Sequence, residues 1–416
     1  MKILLMHPPQ WMFSGYWIHQ NPSLSLMSLA SVLRDKHDVK IVDAEALKLN
    51  WMDVKGLIRQ QNPEVLGVSA TTLSFKGMTK TVKLAKLANL DIHVMIGGAH
   101  VSSQPHKSLA LTGADCAVVG EGDLIVEQAL TQTGVLYNSK AADLDTLPFP
   151  ARDLFTPRVD SDWYVGNDPI IENPETTVIW QRGCPHRCSF CTHSVFGQRN
   201  RRRSPENIVE ELQHIKDNYN VKTIFVYDDE AFGMNRSETK WLTEVCEAIV
   251  DGGVHDFKYK TQARCHRKFV TDEMLKSMRE AGFEAVMLGC ESGSQKVLDA
   301  INKHLTIEDI RYTVKRCHDH GFKVYTYWMI GNKEETVEDA KKTLALMHEL
   351  AEYIDARRVA ILNPLPGSDI YQEAQANGWI INYNFSHWLQ GGCAVMRGSW
   401  LSTSEIMKWE RKLLNG

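Results

Sequence analysis

Cys184, Cys188 and Cys191 fall at C-x3-C-x2-C spacing within the run Gln-Arg-Gly-Cys-Pro-His-Arg-Cys-Ser-Phe-Cys (181–191), and the other cysteines of the nine in the chain lie far away in sequence. Thiolates are soft ligands that suit iron–sulfur clusters, copper(I) or zinc. A structural zinc site takes four ligands, usually as two spaced pairs, whereas three cysteines on a [4Fe–4S] cluster leave one iron open to a further ligand. On spacing alone a zinc knuckle completed by His186 or His193 stays open beside the cluster.

A strand-like run, Thr177 to Trp180, leads into this loop, and five more follow: Thr223 to Tyr227, Lys258 to Gln262, Ala285 to Leu288, Val324 to Met329 and Arg358 to Leu362. Amphipathic helical stretches separate them, the clearest from Pro205 to Tyr219 with Ser204 as its cap. Six such units predict a partial (β/α)6 barrel over 176–370 whose chemistry gathers at the carboxyl ends of the strands. Those ends read Tyr-Asp-Asp-Glu (227–230), Gln-Ala-Arg (262–264), Gly-Cys-Glu-Ser-Gly-Ser (289–294), Met-Ile-Gly-Asn (329–332) and Asn-Pro-Leu-Pro-Gly-Ser (363–368).

The cysteine loop, with Phe190 before its last cysteine, together with Glu291-Ser292-Gly293-Ser294, resembles the radical S-adenosylmethionine (SAM) enzymes. The resemblance implies a [4Fe–4S] cluster on Cys184, Cys188 and Cys191 whose open iron chelates SAM and whose electron cleaves it to a 5′-deoxyadenosyl radical. It places Phe190, Asp229, Glu230, Arg264, Glu291, Ser292, Ser294, Gly331 and Asn363 around SAM. Carboxylates at 229 and 230 suit its ammonium, and the Arg264 fork suits its carboxylate. The turn at 331–336, Gly-Asn-Lys-Glu-Glu-Thr, departs from the Gly-Leu-Pro-Gly-Glu-Thr usual there. Cys265, Cys290 and Cys393 are candidate hydrogen donors, although strand alternation turns Cys290 to the helices if Glu291 faces the lumen.

Residues 1–135 show the same alternation of strands and helices, beginning with Lys2 to Met6, which predicts a doubly wound, Rossmann-like parallel sheet. Ligands of such sheets bind beyond the strand ends. Here those ends are Ser-Ala-Thr-Thr (69–72), Gly-Gly-Ala-His (97–100) and Gly-Glu-Gly (120–122). Ordinary tight turns explain these equally well by spacing. With Pro8-Pro9 after the first strand, however, they resemble the cobalamin-binding domain fused in front of class B radical SAM enzymes. The resemblance implies cobalamin against Pro9, Gln10, Ser69, Thr71, Thr72, Gly97, Gly98, Gly120 and Gly122. No Asp-x-His-x-x-Gly signature is present, so no histidine ligand to cobalt is expected.

Residues 136–175 read as a linker, and 371–416, rich in aromatics, as a short carboxyl-terminal cap. The 416 residues carry 43% hydrophobic and 24% charged residues and a net charge of −4, which suits a globular protein and argues against nucleic-acid or membrane partners. With no apolar stretch of about 18 residues and scattered cysteines, a cytoplasmic location is expected. The basic run Arg199–Arg203 reads as a solvated connection, and Cys317-His318-Asp319-His320 as helix-end residues pointing apart. The expected function is cobalamin-dependent methylation of an unactivated carbon on a small-molecule substrate, with flavodoxin or ferredoxin as electron donor. Two alternatives are radical cyclisation, rearrangement, epimerisation or dehydrogenation without methyl transfer, and a binding module with a structural cluster.

Overall fold

The computed structural model describes residues 1–10, 21–161, 171–388, 393–397 and 400–415. Apolar runs at the amino terminus form β1 (Lys2–His7), β2 (Asp38–Asp43), β3 (Val65–Ser69), β4 (His93–Gly97) and β5 (Cys116–Val119), joined by the short β6 (Gly134–Tyr137) and β7 (Phe155–Thr156). All pair in parallel in the order β6-β5-β4-β3-β1-β2-β7. Helix Leu24–Leu33 buries Leu26, Met27, Ala30 and Leu33 against one face, while Trp51–Gln61 and Phe75–Ala88 cover the other. Strand order reverses between β1 and β3, so a crevice opens there at the carboxyl ends.

Part of the expected linker belongs to this sheet. Phe155–Thr156 pairs with Ile41 and Val42, and Arg152 is fully buried, donating to Thr177 O at 2.9 Å and facing Glu211 Oε1 at 2.8 Å. A two-residue strand has no periodicity to read, and its place depends on an edge supplied by distant residues.

The second sheet contains β8 (Glu175–Val178), β11 (Thr223–Val226), β12 (Lys258–Arg264), β13 (Phe283–Glu291), β14 (Lys323–Ile330) and β15 (Ala356–Ile361), each strand beside its predecessor. Between β8 and β11 a small antiparallel pair, β9 (Gln181–Arg182) and β10 (Arg201–Arg202), closes the base of the cysteine loop. Thr271, Thr306 and Thr336 cap the helices Asp272–Glu280, Ile307–Asp319 and Val337–Glu349 by accepting backbone N–H bonds, which fixes where each helix leaves its strand. Alternate residues of the strands bury into the helix layer, while Phe225, Ala285, Met287 and Tyr325 form a separate cluster on the lumen side. Helix Thr403–Asn415 packs Ile406, Trp409 and Leu413 into the same helix-side core. Among the described residues no helix is long and apolar enough to cross a membrane.

Candidate active site: a cysteine loop above a front-domain cavity

The cysteine loop hangs from β9 and β10. Gly183 has φ +96°, and a side chain there would overlap the Arg199 carbonyl, so this first turn requires glycine. Asp228 Oδ1 accepts the N–H groups of Trp180 (2.8 Å) and Gln181 (3.0 Å) and anchors the incoming strand. Farther along, Ser189 N donates to Ile301 O and Ile370 N donates to Ser189 O. Cys188 is buried, Cys184 half-buried and Cys191 open to solvent within a recess. Burial pushes the Cys184 thiol up to about 12 and that of Cys191 up to about 11, so metal must displace protons there.

Among the described residues no three His, Cys, Asp or Glu converge on one position fit for a single ion. A zinc knuckle needs that convergence, whereas a cluster spreads its thiolates over separate irons. His186 Nε2 and His193 Nε2 are buried without a hydrogen-bond partner. His186 is depressed to about 3, by burial first and then by the charges of Arg264, Lys303, His266 and His304. Arg264 and Lys303 thus place positive charge beside His186 in the loop, while Glu230 and Asp229 act in the opposite sense on Cys184.

Strand ends converge on the loop. Arg264 Nη1 lies 3.1 Å from Cys188 Sγ, and Arg264 Nη2 donates to Lys303 O. Glu230 Oε2 accepts the Arg264 N–H at 3.1 Å, and Oε1 accepts that of Phe232 at 3.2 Å. Burial raises Glu230 to about 7 against the opposing charges of Arg264 and Lys303. Of the acidic run, Asp228 anchors the hairpin, Glu230 staples two strand ends, and Asp229 is exposed with its carboxyl raised by burial in the cleft. Glu291, at φ +63° beside an irregularity in β13, pairs with Lys303 Nζ at 2.7 Å. Lys303 Nζ also lies 5.7 Å from the centre of the Phe190 ring. Lys303 was not signalled by the sequence, since it stands outside every strand end.

The remaining candidates near SAM are differently engaged. The Ser292 hydroxyl lies 3.1 Å from Thr343 Oγ1 and the Ser294 hydroxyl donates to Asp339 at 2.7 Å, so both side chains face helix Val337–Glu349. Gly331 and Asn332 donate their N–H groups to Glu335, which closes the divergent turn. Asn363 is buried just beyond β15.

In the front domain a cavity opens at the strand ends, lined by Ser69, Gly97, Gly98, Gly120 and Gly122. Gly98, at φ +98°, would bring a Cβ within 2.6 Å of Ala70 O. Ile179, Arg182, Val195 and Phe196, which flank the cysteine loop on both sides, complete the wall. The cavity and the loop thus share one hairpin. Four of the nine residues expected around cobalamin lie outside this lining. Pro9 underlies Gly77 of helix Phe75–Ala88, Gln10 N donates to Glu45 at 2.7 Å, and Thr71 N donates to Ser74 Oγ at 3.0 Å. Thr72 Oγ1 meets His100 Nδ1 at 3.1 Å, and the His100 ring stacks on Phe75 and meets Phe385 of the cap edge-on.

Two family models match the chain: the radical SAM superfamily over residues 178–347 and the B12-binding domain over 19–130. The chain is a B12-binding-domain radical SAM enzyme. An uncharacterised methyltransferase of Pyrococcus horikoshii is 29% identical across 99% of this chain and 91% of its own length. The anaerobic magnesium-protoporphyrin IX monomethyl ester cyclase of Rubrivivax gelatinosus is 27% identical across 90% of this chain and 70% of its own. The cobalamin-dependent SAM radical enzyme OxsB, solved with aqua-cobalamin and SAM, matches with TM-score 0.76 at 16% identity, covering 98% of this chain and 65% of that one.

The residues present in this radical SAM enzyme fit the cofactors of its family. Buried polar atoms without partners, His186 Nε2, Thr192 Oγ1, His193 Nε2, Arg264 Nε and His266 Nδ1, belong to the loop or to residues charging it, as expected where a further group binds. The glycine-lined cavity offers the backbone access that a large cofactor needs.

Among the candidate hydrogen donors, Cys265 and Cys290 are fully buried in the helix-side core with their sulfurs 3.8 Å apart, while Cys393 is exposed. The basic run corrects the sequence expectation. Arg201 pairs with Glu121 and Arg203 with Glu211, and Arg203 is only 7% exposed. Their carboxylate partners lie on other elements, so the sequence showed only the charges.

Proposed function

We propose that the enzyme methylates an unactivated carbon of a small molecule, using SAM and cobalamin on opposite sides of one hairpin. The observation that carries this reading is the shared wall: residues before Cys184 and after Cys191 line the front-domain cavity. When bound, the cluster supplies the electron for reductive cleavage of SAM, and cobalamin supplies the methyl carrier.

Cys184, Cys188 and Cys191 would hold the cluster. Asp229, the one carboxylate of its run not tied to backbone, would accept the SAM ammonium. Arg264, held between Cys188 Sγ and Lys303 O, would steady Cys188 as a cluster ligand. Glu291 and Lys303, paired at 2.7 Å, would add a fixed dipole beside Phe190 of the loop. Ser69, Gly97, Gly98, Gly120 and Gly122 would cradle cobalamin, and the cavity wall would keep water from the reacting carbon. Cytoplasmic flavodoxin or ferredoxin would serve as electron donor.

The test uses SAM carrying a labelled methyl group and cell-extract metabolites as substrates. Methyl transfer of this kind yields both S-adenosylhomocysteine and 5′-deoxyadenosine, with label in the product. A second reading, radical ring formation without methyl transfer, is favoured by the cyclase among the relatives. It yields 5′-deoxyadenosine alone. The relative that matches nearly end to end is named a methyltransferase, which supports the first reading.

A further inference from the structure

The hairpin bearing the cysteine loop is fastened to the front cavity by four charged side chains. Arg182 on β9 donates from Nη1 to Glu121 Oε2 and to Asp123 Oδ2, both at 2.7 Å. Arg201, its register partner on β10, donates to both oxygens of Glu121 and to Ala142 O at 3.1 Å. Two cations and two anions balance, and their side chains are only 7–12% exposed. Removing one member of such a network leaves a buried charge without its counterpart, so the network holds one geometry firmly.

Its position gives that firmness a consequence. Glu121 and Asp123 flank Gly122, and all three line the cavity with Gly120. The turn is held from behind as well, by Asn138 Nδ2 donating to Glu121 O at 2.7 Å and by Gly120 N donating to Ser102 Oγ at 3.0 Å. Arg182 stands two residues before Cys184, and its guanidinium lies 5.3 Å from the centre of the Phe196 ring, another part of the cavity wall. A displacement of the Gly-Glu-Gly turn when the cavity fills is therefore passed through charge-assisted hydrogen bonds to the strand that enters the cluster loop.

We propose that Arg182, Arg201, Glu121 and Asp123 are positioning residues that couple occupancy of the front cavity to the geometry of the cysteine loop. The inference rests on the two-cofactor reading above but not on methyl transfer. Coupling between two binding sites is reciprocal, so the cluster must change cobalamin affinity by the factor with which cobalamin changes the cluster site.

Equilibrium dialysis of hydroxocobalamin against the full-length chain, with and without reconstituted cluster, measures that factor. The wild type is expected to bind hydroxocobalamin at least about fivefold more tightly when cluster-loaded, the lower end of common coupling. In Arg182→Gln and Arg201→Gln the ratio falls to about one, and Arg201→Gln, whose side chain lies outside the cavity lining, keeps its cluster iron and binds hydroxocobalamin. Asp123→Asn, which leaves Glu121 to both arginines, is the milder variant should either arginine change prevent folding, and it lowers the ratio partway. A ratio of one in the wild type, or an unchanged ratio in the variants, overturns the coupling. Absence of hydroxocobalamin binding in both wild-type forms would instead overturn the two-cofactor reading.

Discussion

Arg264 touches both halves of the cluster environment: its Nη1 lies 3.1 Å from Cys188 Sγ, and its backbone N–H donates to Glu230 Oε2 at 3.1 Å. A hydrogen bond from a charged donor to a thiolate contributes about 1.5–3 kcal/mol, and 1.4 kcal/mol is about tenfold. Arg264→Met is expected to release cluster iron to a chelator about tenfold faster than wild type, while Arg264→Lys falls between. Equal release rates would remove Arg264 from the cluster's support.

Loss of a cluster ligand separates an enzyme from a structural cluster protein. Cys184→Ala is expected to reduce bound iron from about four per chain to near zero and to abolish 5′-deoxyadenosine formation. The cluster-free variant should melt at the temperature of the cluster-free wild type, because residue 184 lies in a loop outside both sheets. A cluster-loaded wild type that melts far above its cluster-free form and yields no 5′-deoxyadenosine would favour the structural reading.

Glu230 predicts the sign of a pH effect in the cofactor-free chain. Its folded value of about 7 lies above the ordinary glutamate value of 4.5, because burial disfavours the charged form. Across that interval the unfolded chain binds fewer protons at this group, so the stability Glu230 contributes is greatest below pH 4.5, falls as pH rises, and levels off above 7. Asp228, raised to about 7 by burial, adds in the same direction. Glu230→Gln should remove on the order of 1 kcal/mol per pH unit from that slope in urea unfolding. An unchanged slope would show that the carboxyl is not strained by burial.

Gly97 tests the front cavity without straining the backbone. A Cβ there meets only Val118, at 3.8 Å, which is ordinary contact. Gly97→Val should fold normally, place its methyl groups into the cavity and abolish cobalamin binding, as read by cobalt content. Retained cobalt would move the cofactor elsewhere.

The two sheets were legible because buried parallel strands are continuous apolar runs set between amphipathic helices, as in Lys2–His7 and Phe283–Glu291. The three candidate cluster cysteines stood out because they lie within one short loop. Partnerships across long sequence distance were not. Glu291 and Lys303 meet only because β13 and the following helical turn fold back, and Arg182 meets Asp123 across 59 residues. Thr72 lies at a strand end as expected, yet its hydroxyl meets His100, which stacks on Phe75 and meets Phe385 edge-on; strand position indicates nearness to a site, not the direction of a side chain.

On the proposed reading, one hairpin holds an iron–sulfur cluster on one side and cobalamin on the other. Anaerobic purification with cobalamin supplied, followed by iron and cobalt analysis with the visible spectrum, tests it most directly. About four irons and about one cobalt per chain are expected. Four irons with no cobalt would contradict that reading and leave the front domain as a scaffold.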